Sequence, residues 1–113
     1  MLRTPPADYT VHLLNRGFED RNAPYVVCLQ SFVLQRLDTV VVAPIYRALD
    51  GGQVINQLNL RVELDCDPGS NLVLTISEMA GIARRDLGER VDSLWNDGDR
   101  ILGAIELVFT GMG

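Results

Sequence analysis

The stretch NDGDRILGAIELVFTG (Asn96 to Gly111) decides how the end of this chain folds. Ile101, Ala104, Ile105, Val108 and Phe109 fall at i, i+3, i+4, i+7 and i+8, the single apolar stripe of an amphipathic helix. Asn96 is suited to cap its N-terminus, and Asp97 and Asp99 place negative charge in the first turn, where the helix dipole favours it. Gly111 follows the last stripe residue as a C-terminal stop. The spacing predicts a helix from Asp97 to Thr110.

Upstream the period changes from 3.6 to two. In LNLRVEL, Leu58, Leu60, Val62 and Leu64 share one face while Asn59, Arg61 and Glu63 share the other, as a half-buried strand requires. LVLTIS places Leu72, Leu74 and Ile76 on one face and adds Val73 to the other, so cover on both sides is expected. Asp67-Pro68-Gly69-Ser70-Asn71 is turn chemistry and joins these two runs as a hairpin. Further strands are expected at Tyr9 to Leu14, Pro24 to Leu34, Thr39 to Ala43 and Gly81 to Asp86, with Gln57 to Leu64 and Leu72 to Ser77 completing six. Antiparallel strands followed by one terminal helix make an α+β domain, mostly β, built on a small twisted sheet or open barrel.

With 113 residues, 47% of them hydrophobic, residues 1–113 are expected to form one domain with one core. A chain of this size buries roughly two-thirds of its unfolded surface, which leaves little margin and makes pairing with a second copy useful. All ten basic residues are arginine; against fifteen carboxylates they leave a net charge of −5. That balance opposes the counterion release that drives nucleic-acid binding, so no direct nucleic-acid ligand is expected and basic partners are favoured. No apolar run reaches membrane-spanning length and MLRTPPADYT has no apolar signal core, so a cytoplasmic protein without a membrane partner is expected.

Nothing in the residues argues for catalysis or a cofactor. His12 is the only histidine and has no partner motif. Cys28 and Cys66 lack zinc spacing and read as reduced thiols, although spacing alone leaves a disulfide open. Asp65 and Asp67 flank Cys66 in a solvated turn rather than a calcium loop, and Arg84-Arg85 have Asp86 and Glu89 as surface partners. The function is therefore expected to be binding.

SEMAGIARRDLGERVDSLWNDGDRILGAIELVFTGMG resembles the C-terminal third of the CcdB toxins, without a gap from about Ser77 to Met112. Its most informative matches are Met79-Ala80, Gly88-Glu89, Val91, Leu94, Ala104-Ile105, Leu107, Phe109 and Gly111. Leu29-Gln30-Ser31, with Pro44 thirteen residues after the serine, is similar to the family's Gln-Ser and Ile-Pro-Leu pair. The N-terminal strand and Tyr46 to Val54 match poorly. This resemblance implies an SH3-like small antiparallel barrel with one C-terminal helix and a homodimer. It also implies two partners: the A-type subunit of DNA gyrase, trapped in its cleaved-DNA state, and a cognate antitoxin with a disordered tail. By position, target contacts would fall on Val33, Leu34, Glu106, Phe109, Thr110, Gly111 and Met112.

Two departures matter: Glu106 stands where the family has asparagine, and Thr110 where it has a near-terminal tryptophan. One further reading from another class is an endoribonuclease like the MazF toxins, which share the barrel. The other is a degenerate or retargeted homologue that binds antitoxin but not gyrase.

Overall fold

The computed structural model describes residues 9–15, 23–29, 38–48 and 56–111. Among these residues seven strands and a C-terminal helix follow one another: β1 (Thr10–Leu14), β2 (Tyr25–Cys28), β3 (Thr39–Arg47), β4 (Asn59–Val62), β5 (Leu72–Thr75), β6 (Ala80–Ala83), β7 (Leu87–Ser93) and α1 (Gly98–Thr110). All described pairings are antiparallel. The sheet runs β4-β5-β3-β2-β1-β7, with β6 also on β3. The mostly β arrangement with one terminal helix is as expected, but the described pairings do not close into the barrel that the resemblance implies. β4 and β7 stand at opposite ends of an open sheet.

The long β3 organises it. Its first half, Thr39 to Val42, pairs with β6, and its second half, Ile45 to Arg47, pairs with β5. Ala43 and Pro44 fall at the joint and pair only with β2, through Val27 and Val26. A proline is tolerated in this central strand because its missing N–H lies where the neighbour on that edge changes. The strand therefore continues to Arg47 rather than ending at Ala43 as expected. β5 and β6 trace one bent path along β3, broken by a 3-10 turn at Ile76–Glu78.

Burial follows the pleat. Leu60, Val62 and Leu64 are buried while Arg61 and Glu63 are exposed, and all four residues of β5 are buried. The predicted hairpin joins β4 and β5, with Gly69 at φ 81°. β2 is buried on both faces: Tyr25 and Val27 face the cluster under the helix, and Val26 and Cys28 a second cluster with Val40, Val42 and Tyr46. Two apolar layers thus sandwich the sheet, where a single core was expected. α1 lies over the first layer, resting on the Ile76–Glu78 turn with Ile101 and Ala104 buried.

Other expectations are corrected at their ends. β4 covers four residues rather than Gln57 to Leu64, and Gly81 to Asp86 divides into β6 and a 3-10 turn at Arg84–Asp86. Of the strand expected at Pro24 to Leu34, positions 30–34 lie outside the described residues. Asp97, not Asn96, occupies the N-cap position, because a 3-10 turn at Trp95–Asp97 leads into the helix. Gly111 ends it in the left-handed conformation at φ 70°, its N–H donating to the Leu107 carbonyl.

Strand β7 was not foreseen. It pairs with β1 across two register shifts, and Gly88 sits at the closest approach, where a Cβ would lie 2.6 Å from the Leu13 carbonyl oxygen. Because that neighbour is backbone, Gly88→Ala must open the β1–β7 ladder and is expected to destabilise the fold by about 2 kcal/mol or more. Urea denaturation checks it; a midpoint unchanged from the parent would contradict the packing.

Candidate functional site

Of the residues expected at a target interface, those that are described lie at the free end of α1. At about 100° per residue, Ile101, Ala104 and Val108 form the face turned toward the sheet, with Ile105 beside them. The sheet covers only the start of that face: Ile101 and Ala104 are 0% and 4% exposed, whereas Val108 and Phe109 are 38% and 76% exposed. A helix anchored by its first turns thus presents apolar side chains from its last.

Glu106 and Thr110 are exposed and adjoin Phe109 on this end. The Thr110 hydroxyl donates to the Glu106 carbonyl at 2.8 Å, which occupies the side chain within its own helix turn. Gly111 completes the helix end, while Val33, Leu34 and Met112 lie outside the described residues. Four of the seven residues, Glu106, Phe109, Thr110 and Gly111, are therefore described, and they occupy consecutive turns of one helix end.

Trp95 and Leu102, 52% and 45% exposed, were missed by the sequence reading. They line one shallow groove with Asn96, Gly98 and Asp99. A single tryptophan just before an amphipathic helix was the available signal; it reads as core until the strands that might cover it are placed.

The remaining polar residues singled out in the sequence serve the fold. His12 Nδ1 lies 3.0 Å from the Gly88 carbonyl, to which it must donate, and Nε2 lies 3.0 Å from the Thr10 hydroxyl. Both ring nitrogens are engaged, Nδ1 in joining β1 to β7 and Nε2 within β1. Cys28 is buried and Cys66 exposed, and both are free thiols. Burial pushes the Cys28 thiol up, away from the reactive thiolate. Among the described residues no three of His, Cys, Asp or Glu are grouped to hold a metal ion, and no helix is long and apolar enough to cross a membrane.

Asp67 proves more than a solvated turn residue. Its carboxylate accepts hydrogen bonds from Ser70 and Tyr25, the latter at 2.8 Å, and pairs with Arg47 at 3.3 Å. The hairpin tip is thereby tied to β2 and β3. These bonds, Ser70 first and then Tyr25, hold the Asp67 carboxyl below its ordinary 3.8. Burial and then the Asp67 bond push the Tyr25 phenol from 10.0 up to about 12.

The signs are opposite in origin and equal in consequence. The folded state holds Asp67 ionised more readily than the unfolded chain, so its contribution is present above pH 3.8 and is lost as pH falls through the lowered value. The folded state also holds the Tyr25 proton more tightly, so that contribution is present below pH 10 and is lost as pH rises toward about 12. Asp67→Asn is expected to flatten the acid limb of a stability profile between pH 2 and 5 measured by urea denaturation; an unchanged limb would contradict the assignment.

The CcdB protein family model matches residues 8–111. Among curated proteins none matches in sequence. Solved structures share the fold, two of them bacterial toxins. The Mycobacterium tuberculosis toxin MazF-mt6 is 20% identical with a TM-score of 0.71, the match covering 88% of this chain and 95% of that one. A structure described as an Mtb toxin is likewise 20% identical with a TM-score of 0.67, the match covering 88% of this chain and 99% of the other.

Proposed function

The chain belongs to the CcdB family of toxin–antitoxin toxins, and from that premise we propose that it is a type II toxin that binds the A-type subunit of DNA gyrase and traps the cleaved-DNA complex without bond chemistry of its own. The observation that carries the target surface is the free end of α1. Phe109 is 76% exposed on a helix whose preceding turns are anchored by Ile101 and Ala104. A large aromatic side chain has only two side-chain torsions to fix and so loses little entropy on binding, as an interface anchor should. Four of the family's implied contacts, Glu106, Phe109, Thr110 and Gly111, lie on this end, with Glu106 and Thr110 as the two departures.

A homodimer belongs to the same reading. Val108 and Phe109 leave apolar surface that a symmetric pair of helix ends would partly bury. Light scattering at micromolar concentration is expected to give twice the mass of the 12.5 kDa chain. A monomeric mass across that range would defeat the dimer. The other partner is an antitoxin whose disordered tail orders as it docks, its approach favoured by the net charge of −5.

The likeness to the toxin MazF-mt6 favours a second reading, an endoribonuclease, since this sheet and helix can carry that function as well. Against it stand the acidic charge and the engagement of the sole histidine by Gly88 and Thr10. A retargeted family member that keeps its antitoxin but not gyrase remains the alternative raised by Thr110. The experiment is gyrase-dependent DNA cleavage in the presence of the purified chain, with Phe109→Ala as comparison. Cleavage that rises with the chain and falls with the variant supports gyrase; cleavage indifferent to both opposes it.

A further inference from the structure

We propose that the groove beside the start of α1, between Trp95 and Leu102, is the docking site for a basic, apolar segment of a partner protein. Resting on the toxin–antitoxin reading, the segment assigned to it is the ordering tail of the antitoxin.

The groove holds about 330 Å³ and is lined by Trp95, Asn96, Gly98, Asp99 and Leu102. Two large apolar side chains, 52% and 45% exposed, stand on its walls. Neither belongs to the buried clusters on the two faces of the sheet. Solvated tryptophan and leucine side by side are costly to leave open unless a partner covers them.

Charge selects the partner. From Trp95 to Gly111 there are three carboxylates, Asp97, Asp99 and Glu106, against one arginine. That arginine is committed internally, Arg100 Nη1 to Asp97 at 2.8 Å and Nη2 to the Arg61 carbonyl at 2.9 Å. Asp99 and Glu106, both exposed, have no side-chain hydrogen bond or ion pair among the described residues. The helix dipole accounts for Asp99 in the first turn, but it gives Glu106, two turns later, no reason to be acidic.

Asp99, Leu102 and Glu106 follow at i, i+3 and i+7, so the outer flank of the helix alternates carboxylate and apolar groups. An exposed indole beside a carboxylate suits a guanidinium, which stacks on the ring while pairing with the acid. The segment therefore places an arginine over Trp95 against Asp99 and an apolar neighbour on Leu102. A second copy of this chain fits less well, because identical acidic flanks would face each other.

Trp95 is the chain's single tryptophan, so its emission reports directly on the groove. The full chain is titrated with a synthetic peptide carrying arginine and leucine at helical spacing, and with a counterpart in which glutamate replaces arginine. The expected result is a saturable blue shift with the basic peptide only, weakened by salt. Asp99→Arg and Leu102→Glu, both exposed changes whose folding is verified by circular dichroism, should each weaken it tenfold or more. No shift, an equal shift with the acidic peptide, or a fall in oligomeric mass caused by Leu102→Glu alone would overturn the proposal. Copurification with the product of the adjoining reading frame separates the two ideas. A complex lost in both variants supports the groove. One that survives both overturns it and leaves the toxin–antitoxin reading standing, whereas no complex with the parent chain would count against that reading itself.

Discussion

Thr110→Trp is expected to strengthen binding to DNA gyrase by about 30-fold or more, and to convert a weak or inactive poison into a strong one. The resemblance to the CcdB toxins implies a tryptophan at this position, and a tryptophan side chain brings about 150 to 250 Å² of contact. As an interface anchor it is worth upwards of ~2 kcal/mol, which at roughly 1.4 kcal/mol per tenfold gives the stated factor. Little opposes the change within the monomer. Thr110 is exposed, and the bond it would lose goes to the carbonyl of Glu106, also at the surface. The stability change should stay within about 0.5 kcal/mol. Gain of binding would therefore not be confounded by loss of fold. Gyrase-dependent DNA cleavage measured for both forms is the check. Strong poisoning by the parent chain, undiminished in Thr110→Ala, would show that the helix end makes its contact elsewhere.

Ile101→Ala is expected to cost about 2–5 kcal/mol, a large part of the roughly 5–15 kcal/mol by which a domain is stable. Ile101 is fully buried and is one of only two buried residues by which α1 is fixed to the sheet. Truncation removes its transfer free energy and leaves a cavity between helix and sheet that a rigid β layer cannot fill. Phe109→Ala, at the other end of the same helix, should change stability by no more than about 0.5 kcal/mol, because the ring is 76% exposed. The pair distinguishes the anchoring end from the presenting end. Urea denaturation that showed equal losses for the two would contradict the division.

The elements legible in the sequence are those with a single solvent boundary. Leu58 to Leu64 alternates because one face of β4 is buried and the other wet, and the terminal helix shows a stripe for the same reason. β7, with the sequence LGERVDS, is half-buried or exposed at every position on the rim of the sheet, so no apolar period marks it. The strand expected at Thr39 to Ala43 stops short of Pro44, and only the exchange of β6 for β5 at that point shows why a proline is harmless within β3. The 3-10 turn that displaces the helix cap to Asp97 has no signature in Asn96-Asp97, either of which caps well.

The end of α1 proposed to bind a target was legible only through resemblance. The 3.6 period assigns Val108 and Phe109 to the same stripe as Ile101, and nothing in it says that the sheet stops short of them. Trp95 and Leu102 escaped notice for the converse reason. Leu102 lies about 100° from Ile101 around the helix, off the stripe, and its exposure depends on strands far away in sequence.

Whether this toxin acts by binding and not by cleaving is tested most directly with one set of reactions. Purified chain and its Thr110→Trp form are each incubated with RNA alone, and with gyrase and supercoiled DNA. Action by binding predicts intact RNA with both forms and gyrase-dependent linear DNA that is strongest with Thr110→Trp. RNA cut by the chain alone, with no gyrase-dependent DNA product from either form, would contradict it.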